Sequence, residues 1–411
     1  SGTSPRVRTI VADGLPYAEA GATDTDELGC AIATGIAYLR TLTEAGLSVA
    51  RASSQIEFRL AAAADQFLTI AKLRAARRLW ARVTEVCGEA APMRLHAVSS
   101  PAMLTRRDPW VNLLRVTTAT FAAGIGGADA ITALPFDHAI GRPDAFARRI
   151  ARNTLSLLQG ESEAAQVIDP AGGSWYVEQL SDQVAHRAWD WMREIERAGG
   201  QQRALSEGLV ADRLARARSA RWDRIRRRQD PITGVSAFPE LRERPLVRPA
   251  RPAAREPGLP VGRYAEPFEA LRDRADRFIA ATGAPPTAFL ATLGPIANHT
   301  ARSTFAANLL AAGGIASETA GATSGIGEVL AAYRRGPRAV VVICGADAEL
   351  TVQAAPLAAS LREAGARVVG LAGPPGEHEP EWRAAGIGPF LVEGVDAIAV
   401  LEPLLHGSGV E

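Results

Sequence analysis

"IEFRLAAA" (Ile56–Ala63) followed by "DQFLTIAKLRAARRLWARVTEV" (Asp65–Val86) decides the fold. The first run is short, apolar and bounded, as a buried strand is. In the second, Phe67, Ile70, Ala71, Leu73 and Leu79 recur at roughly helical spacing. The same unit stands on both sides. "VRTIVADG" (Val7–Gly14) reads as a strand, and "DTDELGCAIATGIAYLRTLTEAG" (Asp24–Gly46) as a helix opened by Asp/Thr caps and closed by Gly. "MRLHAVSS" (Met93–Ser100) precedes the helix "PWVNLLRVTTATFAAGIGG", and "AITALPF" (Ala130–Phe136) precedes "DAFARRIARNTLSLLQGES". Strands alternating with helices predict a parallel sheet or a barrel. Four units are visible and a closed (β/α) barrel needs eight. The expectation is the C-terminal half of a TIM-type barrel that lacks its front half; the alternative is an open four-stranded sheet.

Beyond this series the chain turns helical, with "VIDPAGGSWYVEQLSDQVAHRAWDWMREIERAGG" (Val167–Gly200) and "RLARARSARWDRIRRRQ" (Arg213–Gln229). "RERPLVRPARPAAREPGLP" (Arg242–Pro260) is rich in Arg and Pro and reads as a linker. Its arginines either contact phosphates or form a solvated face. From about Pro285 a second series begins. The strands are "TAFLATLG" (Thr287–Gly294), "AVVVICG" (Ala339–Gly345), "ARVVGLAG" (Ala366–Gly373) and "GPFLVEG", with the helix "ARSTFAANLLAAGG" (Ala301–Gly314) after the first. This pattern fits a flavodoxin-like doubly wound sheet, whose ligands bind beyond the C-terminal strand ends. "GATSGIGE" (Gly321–Glu328) follows no clear strand and reads as a turn and helix cap. The expected domains are 1–200, the partial barrel; 201–284, a helical and Arg/Pro-rich linker; and 285–411, the doubly wound domain.

Composition sets outer limits. The chain has 411 residues, 47% apolar and 22% charged, with net charge +1. That balance is globular, and gives no global field toward nucleic acid or membrane. Lys72 is the only lysine. Cys30, Cys87 and Cys344 lie far apart and make no metal-ligand spacing, so the setting is expected to be reducing and cytoplasmic. No apolar run reaches the length of a membrane span, and "SGTSPRVRT" has no apolar signal-peptide core.

Four blocks carry a resemblance: "EAGATDTDELGCAIATGIAYLR", "QFLTIAKLRAARRLWARV", "FARRIARNTLSLLQGES" and "VIDPAGGSWYVEQL…REIERAGG". With the order of parts, they make the chain resemble methylmalonyl-CoA mutase over nearly its whole length, starting about halfway through the family's barrel. The resemblance implies a barrel that binds acyl-CoA and a C-terminal domain that binds adenosylcobalamin. Homolysis of the cobalt–carbon bond there starts a radical interconversion of methylmalonyl-CoA and succinyl-CoA, and the cofactor carries the difficult chemistry.

The residues that the family uses are largely replaced. Its Tyr-His pair falls on Leu15 and Pro16 in "GLPYAEAGA", with Tyr17 one residue on, expected on a strand and facing the other way. "HAVSSP" keeps His96 but has Val98 where a substrate-contacting Gln belongs; Arg-x-Ser becomes Arg59 and Ala61; a substrate-side Asn becomes Leu134. The ligand motif D-x-H-x-x-G, with a preceding Lys, reads Ala297, His299 and Arg302, with Leu293 at the Lys place. Ala297 cannot accept the second ring N–H that would orient the imidazole. Cys344 and Ala346 replace the Ser and Leu that line the nucleotide tail. Within the family, the chain resembles the small, non-catalytic subunit that pairs with a catalytic large subunit, where adenosylcobalamin and most of the acyl-CoA contacts reside. It is expected to hold no catalytic residue and no metal. His299 is expected as a vestigial cofactor contact, on a loop and hydrogen-bonded to backbone or water. Arg59 either meets substrate or forms a structural ion pair, and His96 either lines a residual cavity or packs in the core. The alternatives are an active acyl-CoA mutase with altered substrate contacts, and a cobalamin- or CoA-binding module.

Overall fold

The computed structural model describes Arg8 and residues 10–164, 166–252 and 258–411. Val7 and Thr9 of the first expected strand lie outside the described residues. The chain divides into two compact units: Ser1–Arg221 with Leu246–Tyr264, and Trp222–Pro245 with Ala265–Glu411.

In the first unit, β1 (Ile10–Asp13), β2 (Ile56–Ala62), β3 (Arg94–Ser99) and β4 (Ala130–Thr132) form a parallel sheet in the order β1-β2-β3-β4. Its helices are α1 (Leu15–Glu19), α2 (Asp24–Glu44), α3 (Val49–Gln55), α4 (Gln66–Val86), α5 (Val111–Ile125), α6 (Ala145–Gly160), α7 (Trp175–Arg197) and α8 (Gln201–Ser206). α9 (Leu209–Arg226) follows, with its last turn grouped in the second unit. Right-handed crossovers that always step the same way set their helices on one face of the sheet. The core shows this: Ile56, Phe58, Leu60, Leu95 and Ala97 point toward α2, α4 and α5 and are buried with them. The alternate residues Glu57, Arg59 and His96 face the other way, as period-two alternation requires, and stay partly exposed.

Local chemistry sets the helix starts. Thr23 and Asp26 close a capping box before α2, and Asp65 accepts from Leu68 N to open α4. In α4 the buried stripe runs through Ile70, Leu73, Ala76 and Leu79. Phe67, which shares their helical spacing in the sequence, is 48% exposed and meets Tyr176 edge-on. Two glycines of α2 are required by close approach. A Cβ on Gly35 would lie 2.5 Å from the Phe58 ring, and one on Gly29 would lie 2.5 Å from Trp191 of α7.

Residues 246–252 and 258–264 depart from a free linker. Arg248 pairs with Asp137 and Asp144, and Arg251 donates to the carbonyls of Gly141 and His138. Tyr264 N donates to Ala102 O. Burial, then the adjacent Arg251, pushes the His138 imidazole down to about 4, so it stays neutral and accepts from Arg251. The Arg/Pro composition carried no trace of these acceptors, which the sheet's loops supply.

The second unit contains α10 (Glu266–Thr282), then β5 (Thr287–Thr292), α11 (Ile296–Ala312), β6 (Ala316–Thr319), α12 (Ile326–Arg335), β7 (Val340–Cys344), α13 (Asp347–Glu363), β8 (Val368–Ala372), α14 (Glu379–Ala384), β9 (Ile387–Leu391) and α15 (Ala397–Gly407). The parallel sheet has the order β6-β5-β7-β8-β9, the flavodoxin-like 2-1-3-4-5 winding. All five residues of β7 are buried, as befits a central strand covered on both faces. β6, "ASET", escaped the sequence reading because an edge strand of small and polar residues has no apolar run. "GATSGIGE" therefore does follow a strand. It remains a cap: Glu328 accepts from Ser324 N at 2.8 Å, at the start of α12.

Among the described residues no helix is long and apolar enough to cross a membrane.

Candidate functional site

In the first unit, the C-terminal strand ends bring together residues far apart in sequence. Leu15 and Ala18 of α1, Ala61 of β2, Val98 of β3 and Leu134 beyond β4 pack as one apolar cluster. Four of these, Leu15, Ala61, Val98 and Leu134, are positions for which the resemblance implied polar residues in active members of the family. The backbone around them is held by polar bonds at their margin: Ser99 Oγ accepts from Leu134 N at 2.8 Å, and Asp13 Oδ1 accepts from Leu15 N at 3.1 Å. These side chains offer no hydrogen bond to a carbonyl or carboxylate and no proton to transfer.

Tyr17 does not lie on a strand. Pro16, at the first turn, fits the start of α1, and the helix turns Tyr17 into the core, where its hydroxyl accepts from Gln201 Nε2 at 2.8 Å. Burial raises the phenol's pKa further, so it stays protonated.

Arg59 and His96 sit side by side on the polar face of the sheet, in register across β2 and β3. The Arg59 guanidinium is taken by Asp13, through Nε at 3.0 Å and through Nη2. Arg59 thus has an ion-pair partner within the same sheet. His96 lies on the sheet face away from the helices, with Nε2 2.8 Å from Thr132 Oγ1 and Nδ1 3.4 Å from Glu57 Oε1.

Beneath the apolar cluster lies a group of charges that the sequence reading passed over. Lys72 is buried in α4, with Nζ 2.7 Å from Asp24 Oδ1 and 2.5 Å from Glu27 Oε2. The other Glu27 oxygen accepts from Ala61 N at 2.6 Å. Burial pushes the Glu27 carboxyl up to about 7 against the pull of Lys72. Burial also opposes the Lys72 ammonium, yet the two carboxylates hold its pKa above the ordinary value. This triad fixes the end of β2, and with it Ala61, from below. Its signal in the sequence was a lone lysine on the apolar face of a helix.

In the second unit, the crevice of interest lies where the winding reverses, at the C-terminal ends of β5 and β7. His299 is not on a loop. α11 begins at Ile296 and carries His299 on its inner face, 6% exposed, with both ring nitrogens buried and without a hydrogen-bond partner among the described residues. Asn298 is tied to Glu349 at 2.5 Å. Arg302, one turn on, donates to Gly345 O at 2.7 Å and pairs with Asp347. Its guanidinium also lies against Gly373, where an added Cβ would meet it at 3.1 Å. The side chain thus bridges the ends of β7 and β8. Leu293 is fully buried in the core of this unit. Cys344 is buried, its thiol pushed up to about 12 by burial, which leaves no reactive thiolate. Removing the Arg302 bridge in Arg302→Ala should cost about 1–2 kcal/mol, read as a lower urea midpoint. An unchanged midpoint would show that the bridge contributes nothing.

A family model described as methylmalonyl-CoA mutase matches residues 1–256. The chain belongs to the methylmalonyl-CoA mutase family. It is 53% identical over 408 residues to the methylmalonyl-CoA mutase small subunit of Streptomyces virginiae, covering 99% of this chain and 65% of that protein. It is 38% identical over 417 residues to the small subunit of Propionibacterium freudenreichii subsp. shermanii, covering 99% and 64%. The methylmalonyl-CoA mutase of Escherichia coli K12 is 34% identical over 242 residues, covering 58% of this chain and 34% of that protein. The chain therefore spans about 65% of the length of the small subunits it matches.

Proposed function

We propose that this chain is the non-catalytic small subunit of a heterodimeric, adenosylcobalamin-dependent methylmalonyl-CoA mutase, and that it stabilises a catalytic large subunit. One observation carries the reading. Leu15, Ala61, Val98 and Leu134 converge in space as a single apolar cluster with Ala18. Apolar side chains at all four places leave no polar group to hold or protonate a substrate there, and they pack against one another instead. Burying such side chains contributes roughly 1.5–3 kcal/mol for each large one, so the former site now serves stability. The sequential four-stranded sheet is then the second half of a (β/α)8 barrel, and the five-stranded unit a cobalamin-type domain without its cofactor.

Adenosylcobalamin does not fit the second unit's crevice. Ala297 supplies no acceptor for a ring N–H of His299, and the Arg302 side chain occupies the space between the ends of β7 and β8. In the complex, the large subunit holds cobalamin and the greater part of the acyl-CoA, in a reducing, cytoplasmic setting.

The purified protein with added adenosylcobalamin is expected to give no detectable isomerisation of methylmalonyl-CoA. Activity should appear, and the protein should co-elute, with a large-subunit homologue that keeps Tyr-His and D-x-H-x-x-G. Turnover by the chain alone would sink the proposal. A second reading rests on His299, whose unpartnered imidazole is the one feature that suits a retained cobalamin contact. A cobalamin absorbance titration decides it; a flat spectrum removes it.

A further inference from the structure

A cavity of about 270 Å³ in the second unit shares no lining residue with either region described above. Its walls are Phe305 and Leu309 of α11, Pro231, and Val392 and Val395 after β9. These are apolar. Arg227 and Arg228 also line it.

Arg228 is unusual in three respects. Its backbone is in the left-handed region at φ 56°, which L side chains adopt rarely and which persists only where the surroundings hold it. Its guanidinium is fixed on two sides, by Nη2 donating to Asn308 Oδ1 at 2.6 Å and by the Phe305 ring 5.7 Å below. Its Nη1 is buried and has no hydrogen-bond partner among the described residues. A guanidinium normally saturates its donors when it leaves water, because each unpaired buried donor is costly. Burial lowers the Arg228 pKa, and Glu393 on the cavity wall offsets this only in part. Arg227 differs: its Nε and Nη1 already donate to Asp223 and Gly394 O, so it shapes the wall, and the unpartnered buried donor is on Arg228.

We propose that this cavity binds a small carboxylate with a short apolar chain, its oxygens on Nη1 of Arg228 and its chain against Phe305, Leu309 and Val392. A guanidinium fork matches a carboxylate, and the apolar walls reward a hydrocarbon body. The small volume excludes a nucleotide or a coenzyme. The Glu393 carboxylate on the wall disfavours a doubly charged phosphate. The site stands independently of the subunit reading.

The probe is sodium butyrate, titrated into the intact protein by calorimetry at constant ionic strength, with inorganic phosphate as the competitor class. We expect saturable butyrate binding, weakened about tenfold or more in Arg228→Gln, and unchanged in Arg338→Gln, which removes an arginine paired with Glu318 instead. Val395→Phe, which fills the cavity and spares the guanidinium, should abolish binding and covers the case in which Arg228→Gln does not fold. No saturable butyrate binding, retention of binding in either cavity variant, or phosphate binding tighter than butyrate overturns the proposal.

Discussion

Lys72→Met should lower the stability of the first unit by about 3–5 kcal/mol, the cost of leaving buried charge without its partner. Lys72 is 1% exposed and Glu27 equally so, and the ammonium touches both Asp24 and Glu27. Methionine fills the same space but strands two carboxylates. Denaturant midpoints of the variant and the parent measure the loss. The pH dependence identifies its origin. In the parent, the Glu27 pKa is raised from 4.5 to about 7 on folding. A raised carboxyl contributes stability that is fully present below its unfolded pKa and is lost as pH rises through the folded one. For Glu27 that window runs from about 4.5 to 7. Lys72 pulls both carboxyls down, holding Asp24 below its ordinary value and limiting the rise of Glu27; without it both move up, so the deficit of Lys72→Met should be larger at pH 8 than at pH 5. Adding Glu27→Gln should recover part of it. A deficit that is the same at both pH values would show that packing, not charge, is lost.

Trp80→Ala should cost about 3–5 kcal/mol through the cavity it leaves. Trp80 is fully buried, meets Phe58 edge-on with centroids 4.6 Å apart, and donates Nε1 to Ser53 Oγ at 3.0 Å. Gly35 allows α2 to close on the same pair, with a Cβ position 2.9 Å from the indole. Backbone packed that tightly on two sides cannot collapse into the void, and Ser53 loses its partner. Trp175, 91% exposed, is the internal control: Trp175→Ala should stay within about 0.5 kcal/mol of the parent. Equal effects at the two tryptophans would refute the assignment of Trp80 to the core.

The parts of the fold that sequence made legible are those with a strong period. The strands β2, β3, β5, β7 and β8 begin and end within a few residues of their apolar runs, and Asp65 and Thr23 mark their helices by cap chemistry. Where the apolar signal was thin, the reading slipped. β4 keeps three residues of an expected seven, since Leu134 turns aside into the cluster. β6 was missed, and α11 starts five residues before Ala301, so that His299 is helical and inward-facing. Pro16 was read only as a lost acid–base group; its second consequence, starting a helix that buries Tyr17, depended on Asp13 accepting from Leu15 N.

The candidate site divides the same way. Residue types alone determined which chemistry is missing: Leu, Pro, Val and Ala cannot bind a thioester carbonyl or pass a proton, wherever they stand. They also determined the family, through long blocks that span both the barrel-like series and the helix after it. The tertiary structure decided what took the place of that chemistry. Leu15, Ala61, Val98 and Leu134 lie up to 119 positions apart in the chain (134 − 15), and only the parallel sheet, by aligning its strand ends, makes them one cluster. It likewise decided that Arg59 answers to Asp13, that Arg302 spans two strand ends, and that one buried lysine balances two acids. Composition and periodicity are local along the chain, whereas packing and ion pairing act across it, so a partner many residues away leaves no mark on the stretch that needs it.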